Sequence, residues 1–177
     1  VQPQIEWVLD FSDHRANLIE EGIDLSIRIT ADLQPGDIVR KLGHCQLLML
    51  ASPGYLSAHG TPTHPDQLRH HECLIYSMNM NPATWTCVVQ GQTQAFAVRG
   101  RMRANNGVAL TQACAQGMGL TMQPDFIAEP FLASGEVVQV LQDFVPPPLG
   151  IYAVLPSNRY IPHRVNVLMD HLAQFLG

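Results

Sequence analysis

Short runs of β-forming residues alternate with stretches of helical spacing along nearly the whole chain, and few folds accept such an order. The segments Ile23–Ile29, Ile38–Leu42, Leu47–Ala51, Cys73–Ser77 and Ile151–Leu155 are rich in Val, Ile, Leu and aromatic residues and read as strands. Between them, Asn105 and Asn106 are placed to cap a helix from about Gly107 to Gln116, with Gly117 and Gly119 closing it. Pro124–Ser134 reads as a helix stopped by Gly135. In the last segment, about Pro162 to Leu176, Val165, Leu168, Met169, Leu172, Phe175 and Leu176 form one apolar stripe that must dock on a core. Strand–helix alternation of this kind defines an α/β protein.

Other segments refine the picture. Ile5–Phe11 has strand composition, and Asp13–Glu21 reads as a short helix with Ser12 or Asp13 as cap and Gly22 as stop. Thr84–Val89 and Gln94–Arg99 flank a turn containing Gly91 and read as a hairpin; Arg99–Ala104 continues extended. Pro146-Pro147-Pro148 can enter neither a helix interior nor a central strand and reads as a linker. The middle of the chain holds the hairpin and most of the prolines. It therefore reads as a second lobe, entered near Ala51–Gly54 and left near Pro147–Ile151.

Composition excludes several functions. The net charge is −5, and only one of the ten basic residues is Lys, so the chain lacks the basic face of a nucleic-acid-binding module. No apolar run reaches the ~20 residues that span a bilayer, and no signal peptide is visible, so a cytoplasmic location is expected. Cys45, Cys73, Cys87 and Cys114 form no CxxC pair; they read as reduced core thiols, with two disulfides in a secreted chain as the alternative. The eight histidines show no HxH or HExxH spacing and read as surface residues. No nucleophile elbow, Walker or dinucleotide fingerprint occurs, so neither an enzyme nor a cofactor or metal protein is expected.

Two patterns carry a functional alternative beside a structural one. Arg99, Arg101 and Arg103 alternate along an extended run and share one face, which is either a solvent-facing strand or a surface for an acidic ligand or partner. Asn105-Asn106-Gly107 sits at a helix N-terminus, where free N–H groups and the dipole favour an anion. Capping alone and capping with ligand contact are both open readings.

The ordered stretches "LIEEGIDLSIRI" (18–29), "VRKLGHCQLLMLASPGYLSAHGTPTHPDQLRHHECLIY" (39–76), "RGRMRANNGVALTQACAQGMGLTMQPDFIAEPFLASGEVVQVL" (99–141) and "IYAVLPSNRYIPHRVNVLMDHLAQFL" (151–176) cover nearly the whole chain. In this order the chain resembles the effector-binding domain of LysR-type transcriptional regulators. The resemblance implies a two-lobed, type 2 periplasmic-binding-protein-like fold with two crossover strands, lobe one being 1–51 plus 150–177 and lobe two 52–149. It implies one further βα unit ahead of this run, and a winged helix-turn-helix that is absent here and would make the DNA contact. It places a small-molecule effector, polar or anionic, between the lobes. Arg28 and Thr30 would reach it from lobe one, Ser52 and Pro53 from the first crossover, and Asn105, Asn106, Gly107 and Gln123 from lobe two. For Arg28 an ion pair, and for Ser52 and Gln123 plain backbone satisfaction, remain the structural alternatives. A homodimer or tetramer through lobe one, with no membrane contact, is also implied. A free-standing solute-binding protein of similar fold is the alternative function.

Overall fold

The computed structural model describes residues 6–11, 17–31, 33–76, 83–157 and 161–176. The chain divides into two compact units, Val1–His44 with Leu149–Gly177, and Cys45–Pro148. The change of unit falls between His44 and Cys45, and the return between Pro148 and Leu149. The sequence reading expects the first passage near Ala51–Gly54; the strand Leu47–Ala51 pairs on both sides with strands of the second unit, which is why it belongs there.

The first unit holds a three-stranded sheet in the order β1–β10–β2, with β1 at Ser26–Thr30, β2 at Ile38–Cys45 and β10 at Leu149–Leu155. β1 runs antiparallel to β10, with Arg28 opposite Tyr152. The closing helix α4, His163–Leu176, buries Val165 and Met169, as the stripe requires. Phe175 departs from that expectation: it is 83% exposed among the described residues. Ion pairs Arg40–Asp170 (2.6 Å) and Arg164–Asp24 (3.1 Å) lie outside the core, and exposed pairs of this kind contribute about 0–1 kcal/mol each. Gly43 is fixed by close approach, because a Cβ there would lie 2.1 Å from the Leu176 carbonyl oxygen.

Two expectations for the start of the chain are corrected. Glu6–Phe11 forms no strand, and Trp7, Val8, Leu9 and Phe11 are exposed. β-propensity expresses fit to a neighbouring strand, and among the described residues none pairs with this segment. The described end of the expected helix Asp13–Glu21 is a turn over Leu18–Gly22, closed by Glu21 N–H to Asn17 C=O (2.9 Å); the rest of that helix and its cap, residues 12–16, lie outside the described residues.

The second unit is built on a five-stranded mixed sheet in the order β7–β4–β8–β3–β9. The strands are β3 (Leu47–Ala51), β4 (Cys73–Tyr76), β7 (Arg103–Ala104), β8 (Leu120–Pro124) and β9 (Val138–Val140). Period-2 alternation sorts the side chains between its two faces. Met49, Ala51, Cys73 and Ile75 join Tyr55, Leu68, Trp85 and Leu120 in one core layer. Leu50 and Leu74 point the other way, to Leu110, Cys114, Ala128 and Val137. The first layer is covered by α1 (Pro53–His59), a 3₁₀ turn (Pro65–His70) and the hairpin of β5 (Thr84–Val89) and β6 (Gln92–Ala97). The second is covered by α2 (Gly107–Ala115) and α3 (Asp125–Ser134). Both faces of the sheet are thus buried, which suits the unbroken apolar run of β3. α3 ends at Gly135, whose φ of 76° is the left-handed cap the sequence predicts.

All four cysteines are free and buried. Burial pushes the Cys73 and Cys114 thiols up to about 12 and those of Cys45 and Cys87 to about 11, so they behave as small apolar core groups.

A polar cluster links α1 to the end of the 3₁₀ turn. The Tyr55 hydroxyl accepts the Glu72 N–H (3.0 Å) and lies 3.2 Å from His71 Nδ1, while His59 stacks on the Tyr55 ring at 4.3 Å. His71 is only 6% exposed; burial, with the nearby His59 and His70, lowers its pKa below the ordinary 6.5. A neutral imidazole accepts the Tyr55 O–H, whereas a protonated one turns a donor toward a hydroxyl whose own proton then needs another acceptor. The unfolded chain therefore binds the proton more readily than the folded one. This contribution to stability is fully present above pH 6.5 and is lost as pH falls below it. Denaturant titrations between about pH 7.5 and pH 5 should show a falling unfolding free energy, and His71→Gln should flatten the slope.

Candidate functional site

The residues that converge do so at the start of α2. β7 delivers the chain to Asn106, whose backbone is extended (φ −132°, ψ 110°) and whose Oδ1 accepts the Ala109 N–H at 3.0 Å. The first helical bond runs from Leu110 N–H to Asn106 C=O (3.1 Å), so the first-turn N–H groups of Gly107 and Val108 precede the helical ladder. Asn105 is exposed beside them.

Gly107 lets two side chains approach the backbone closely. A Cβ at this position would lie 2.5 Å from Gln123 Oε1 and 2.8 Å from Ile127 Cδ1. Gln123 comes from β8 and is 1% exposed, an unusual burial for an amide. Its orientation follows from hydrogen bonding. Thr121 Oγ1 donates to Leu74 C=O (3.4 Å) and must accept from Gln123, so Nε2 donates to Thr121 (2.8 Å) and Oε1 faces Gly107. Thr111 Oγ1 donates to Gly107 C=O at 2.8 Å, which steadies the same turn. The result is a fixed set of polar groups: first-turn amides, the Asn106 side chain and a buried amide carbonyl.

Within the second unit, Ser52 and Pro53 lie away from the start of α2. The Ser52 Oγ caps α1 by accepting the Tyr55 N–H (3.3 Å), with Pro53 in the first turn. Its neighbour is Gly117, just after α2, whose Cβ would stand 3.7 Å from Ser52 Oγ. Gly117 follows the far end of α2, about 13 Å of helix away from Gly107, so Ser52 and Pro53 are not gathered with Asn106. Arg28 and Thr30 belong to the first unit. Arg28 Nη1 lies 3.7 Å from Asp37 Oδ2, and both residues line a pocket of about 360 Å³ with Asn17, Leu18, Ile38 and Leu155. Within the second unit, Leu48, Phe126, Glu129 and Leu132 border a hollow of about 480 Å³ over α3. Thr121 escapes sequence reasoning, since a threonine in an apolar strand signals nothing until the register places it beside Gln123. Among the described residues no group of three or more His, Cys, Asp or Glu could hold a metal ion. No described helix is long and apolar enough to cross a membrane.

Asn106→Ala should cost about 1 kcal/mol by removing the cap, a fall in Tm of about 3 °C by thermal denaturation, while Asn106→Asp should leave it nearly unchanged.

A mixed α/β domain with these features has known counterparts. A family model described as the LysR substrate binding domain matches residues 1–177, and the chain belongs to that family. It is 33% identical over 174 residues to the HTH-type transcriptional regulator PtxR of Pseudomonas aeruginosa, covering 98% of this chain and 55% of that one. It is 31% identical over 176 residues to DmlR of Escherichia coli, covering 99% of this chain and 57% of that one. The chain thus spans a little over half the length of the curated relatives it matches. Among solved structures, full-length AphB, a virulence activator of Vibrio cholerae, aligns with a TM-score of 0.82 at 30% identity over 99% of this chain and 60% of that one. The regulatory domain of CrgA from Neisseria meningitidis aligns with a TM-score of 0.81 at 28% identity over 94% of this chain and 81% of that one. These agree with the type 2 periplasmic-binding-protein-like fold that the sequence implies.

Proposed function

We propose that this chain is the effector-sensing part of a cytoplasmic LysR-type transcriptional regulator and that it binds a small anionic molecule without transforming it. The observation that carries the ligand reading is the start of α2. There a helix N-terminus, which favours negative charge, adjoins the buried Gln123 carbonyl across a glycine that leaves the backbone uncovered. An acidic ligand that also carries a hydroxyl or protonated group satisfies both, accepting from the amides and donating to Gln123 Oε1. Asn105, Asn106, Gly107 and Gln123 are the contacts we assign to it, and Arg28 and Thr30 those of the first unit. Ser52 and Pro53 serve it indirectly, through the start of α1.

In the whole regulator, a ligand with unequal affinity for two conformations shifts their populations. A tenfold shift needs about 1.4 kcal/mol of differential binding, within the reach of one or two polar contacts. Assembly into a dimer or tetramer through the first unit would transmit the shift to a separate DNA-binding domain. A free-standing solute-binding protein is the less favoured reading, because the relatives named above are transcriptional regulators.

A thermal-shift screen of small hydroxy and aromatic acids tests this reading. A stabilising acid should lose about tenfold or more in affinity on Gln123→Leu and on Arg28→Ala. If a stabilising acid binds both variants as tightly as the native chain, the assignment of the site fails.

A further inference from the structure

The hairpin of the second unit carries an edge that natural sheets usually protect. β5 and β6 form a two-stranded sheet of their own, joined through Gln90 and Gly91 with φ of 51° and 76°. Val98 N–H donates to Ala83 C=O at 3.0 Å. Residues in phase with Val98, namely Phe96, Gln94 and Gln92, therefore direct their backbone groups to β5. Thr93, Ala95 and Ala97 direct theirs to the opposite side. No strand among the described residues pairs with that side. Thr93, Ala95 and Ala97 are exposed, and only Phe96 of this strand is partly buried, packed on the core.

Several of the usual safeguards of an edge strand are missing, although the 3₁₀ turn Pro65–His70 packs close to β6. Edges are commonly blunted by Lys, Pro, a bulge or a charge turned inward. β6 has none of these, and from Cys73 to Val98 the sequence contains no charged residue at all. Its pairing with β5 is regular from Thr84↔Ala97 to Val89↔Gln92, so no bulge twists the edge away.

We propose that this edge is a self-association surface, on which β6 of a second copy of the chain pairs antiparallel about a two-fold axis through Ala95. The sequence suits this occupant. Ala95 meets Ala95 of the second copy, and Thr93 meets Ala97 of the second copy, so small side chains stand opposite one another with no like charges facing. Three such pairs exchange about six hydrogen bonds and join two hairpins into a four-stranded sheet. This surface belongs to the second unit, so it would add an association step to any contact made through the first unit.

Sedimentation velocity of the 177-residue chain over a wide concentration range reads that step. Ala95→Pro removes one outward N–H from each copy without touching a bond to β5. It should weaken the step about tenfold or more. Ala95→Lys keeps the N–H but sets two cations face to face, and should weaken it as well, which covers the case in which the proline disturbs the hairpin. Ala95→Cys should yield a disulfide-linked dimer on mild oxidation, where the native chain, with its cysteines buried, yields none. A native chain that stays monomeric at every concentration, together with no cross-link from Ala95→Cys, overturns the proposal. So does association of the Ala95→Pro and Ala95→Lys variants that matches the native chain throughout, which would assign the contact to another surface.

Discussion

Gly100→Ala should lower the stability of the second unit by about 3 kcal/mol, seen as a fall of roughly 10 °C in its thermal transition. The cause is a backbone contact that no side chain can yield. A Cβ at Gly100 would lie 1.7 Å from the Cys73 carbonyl oxygen and 2.8 Å from its carbon. Cys73 cannot withdraw easily. Its N–H donates to Arg99 C=O at 2.9 Å, and on its other side it pairs with Leu120 of β8. Relief requires moving β4 away from the extended run that leads through β7 to Asn106, so the damage should reach the start of α2. Gly54→Ala is the matched control. Gly54 lies within α1, has nothing within 4 Å of a built Cβ and needs no positive φ, so alanine there should be neutral or stabilising by about 0.5–1 kcal/mol.

Leu110→Ala should cost about 3 kcal/mol in denaturant titrations. Leu110 is fully buried on α2 in the layer with Leu50, Leu74, Cys114 and Val137. Its truncation removes the transfer free energy of the side chain and leaves a void between helix and sheet. Alanine is the better helix former, so the loss reports packing and not helix propensity. Leu110→Met, which conserves volume, should cost less than about 1.5 kcal/mol. The two leucine variants together measure how firmly α2 is held with its first turn against Gln123.

What could be read from the sequence follows from how local each signal is. The start of α2 was legible because a cap is encoded in three adjacent residues, Asn105-Asn106-Gly107, and the cap found is Asn106. The hairpin was legible because two strand-like runs flank a glycine-containing turn, although β6 begins at Gln92, two residues earlier than the strand composition suggested. The segment Glu6–Phe11 misled, since strand composition needs a partner strand to become a strand. Ser52 was legible as a residue of interest but not as the cap of α1, because its bond to Tyr55 N–H depends on how the chain turns after β3. Gln123 was named from the resemblance alone. Its relation to Gly107, sixteen positions earlier, and to Thr121 exists only once β8 lies beneath α2. The Tyr55–His71 bond is equally invisible in the sequence, since sixteen residues and a 3₁₀ turn separate its partners.

The most direct test of the ligand site is an amide spectrum of ¹⁵N-labelled chain titrated with the strongest stabilising acid from the screen. The site described here predicts that the backbone amides of Gly107 and Val108 and the side-chain amide of Gln123 shift together and saturate with the same dissociation constant. Shifts confined to the pocket around Arg28 and Asp37, or to the hollow over α3, with Gly107 and Gln123 unmoved, would contradict it.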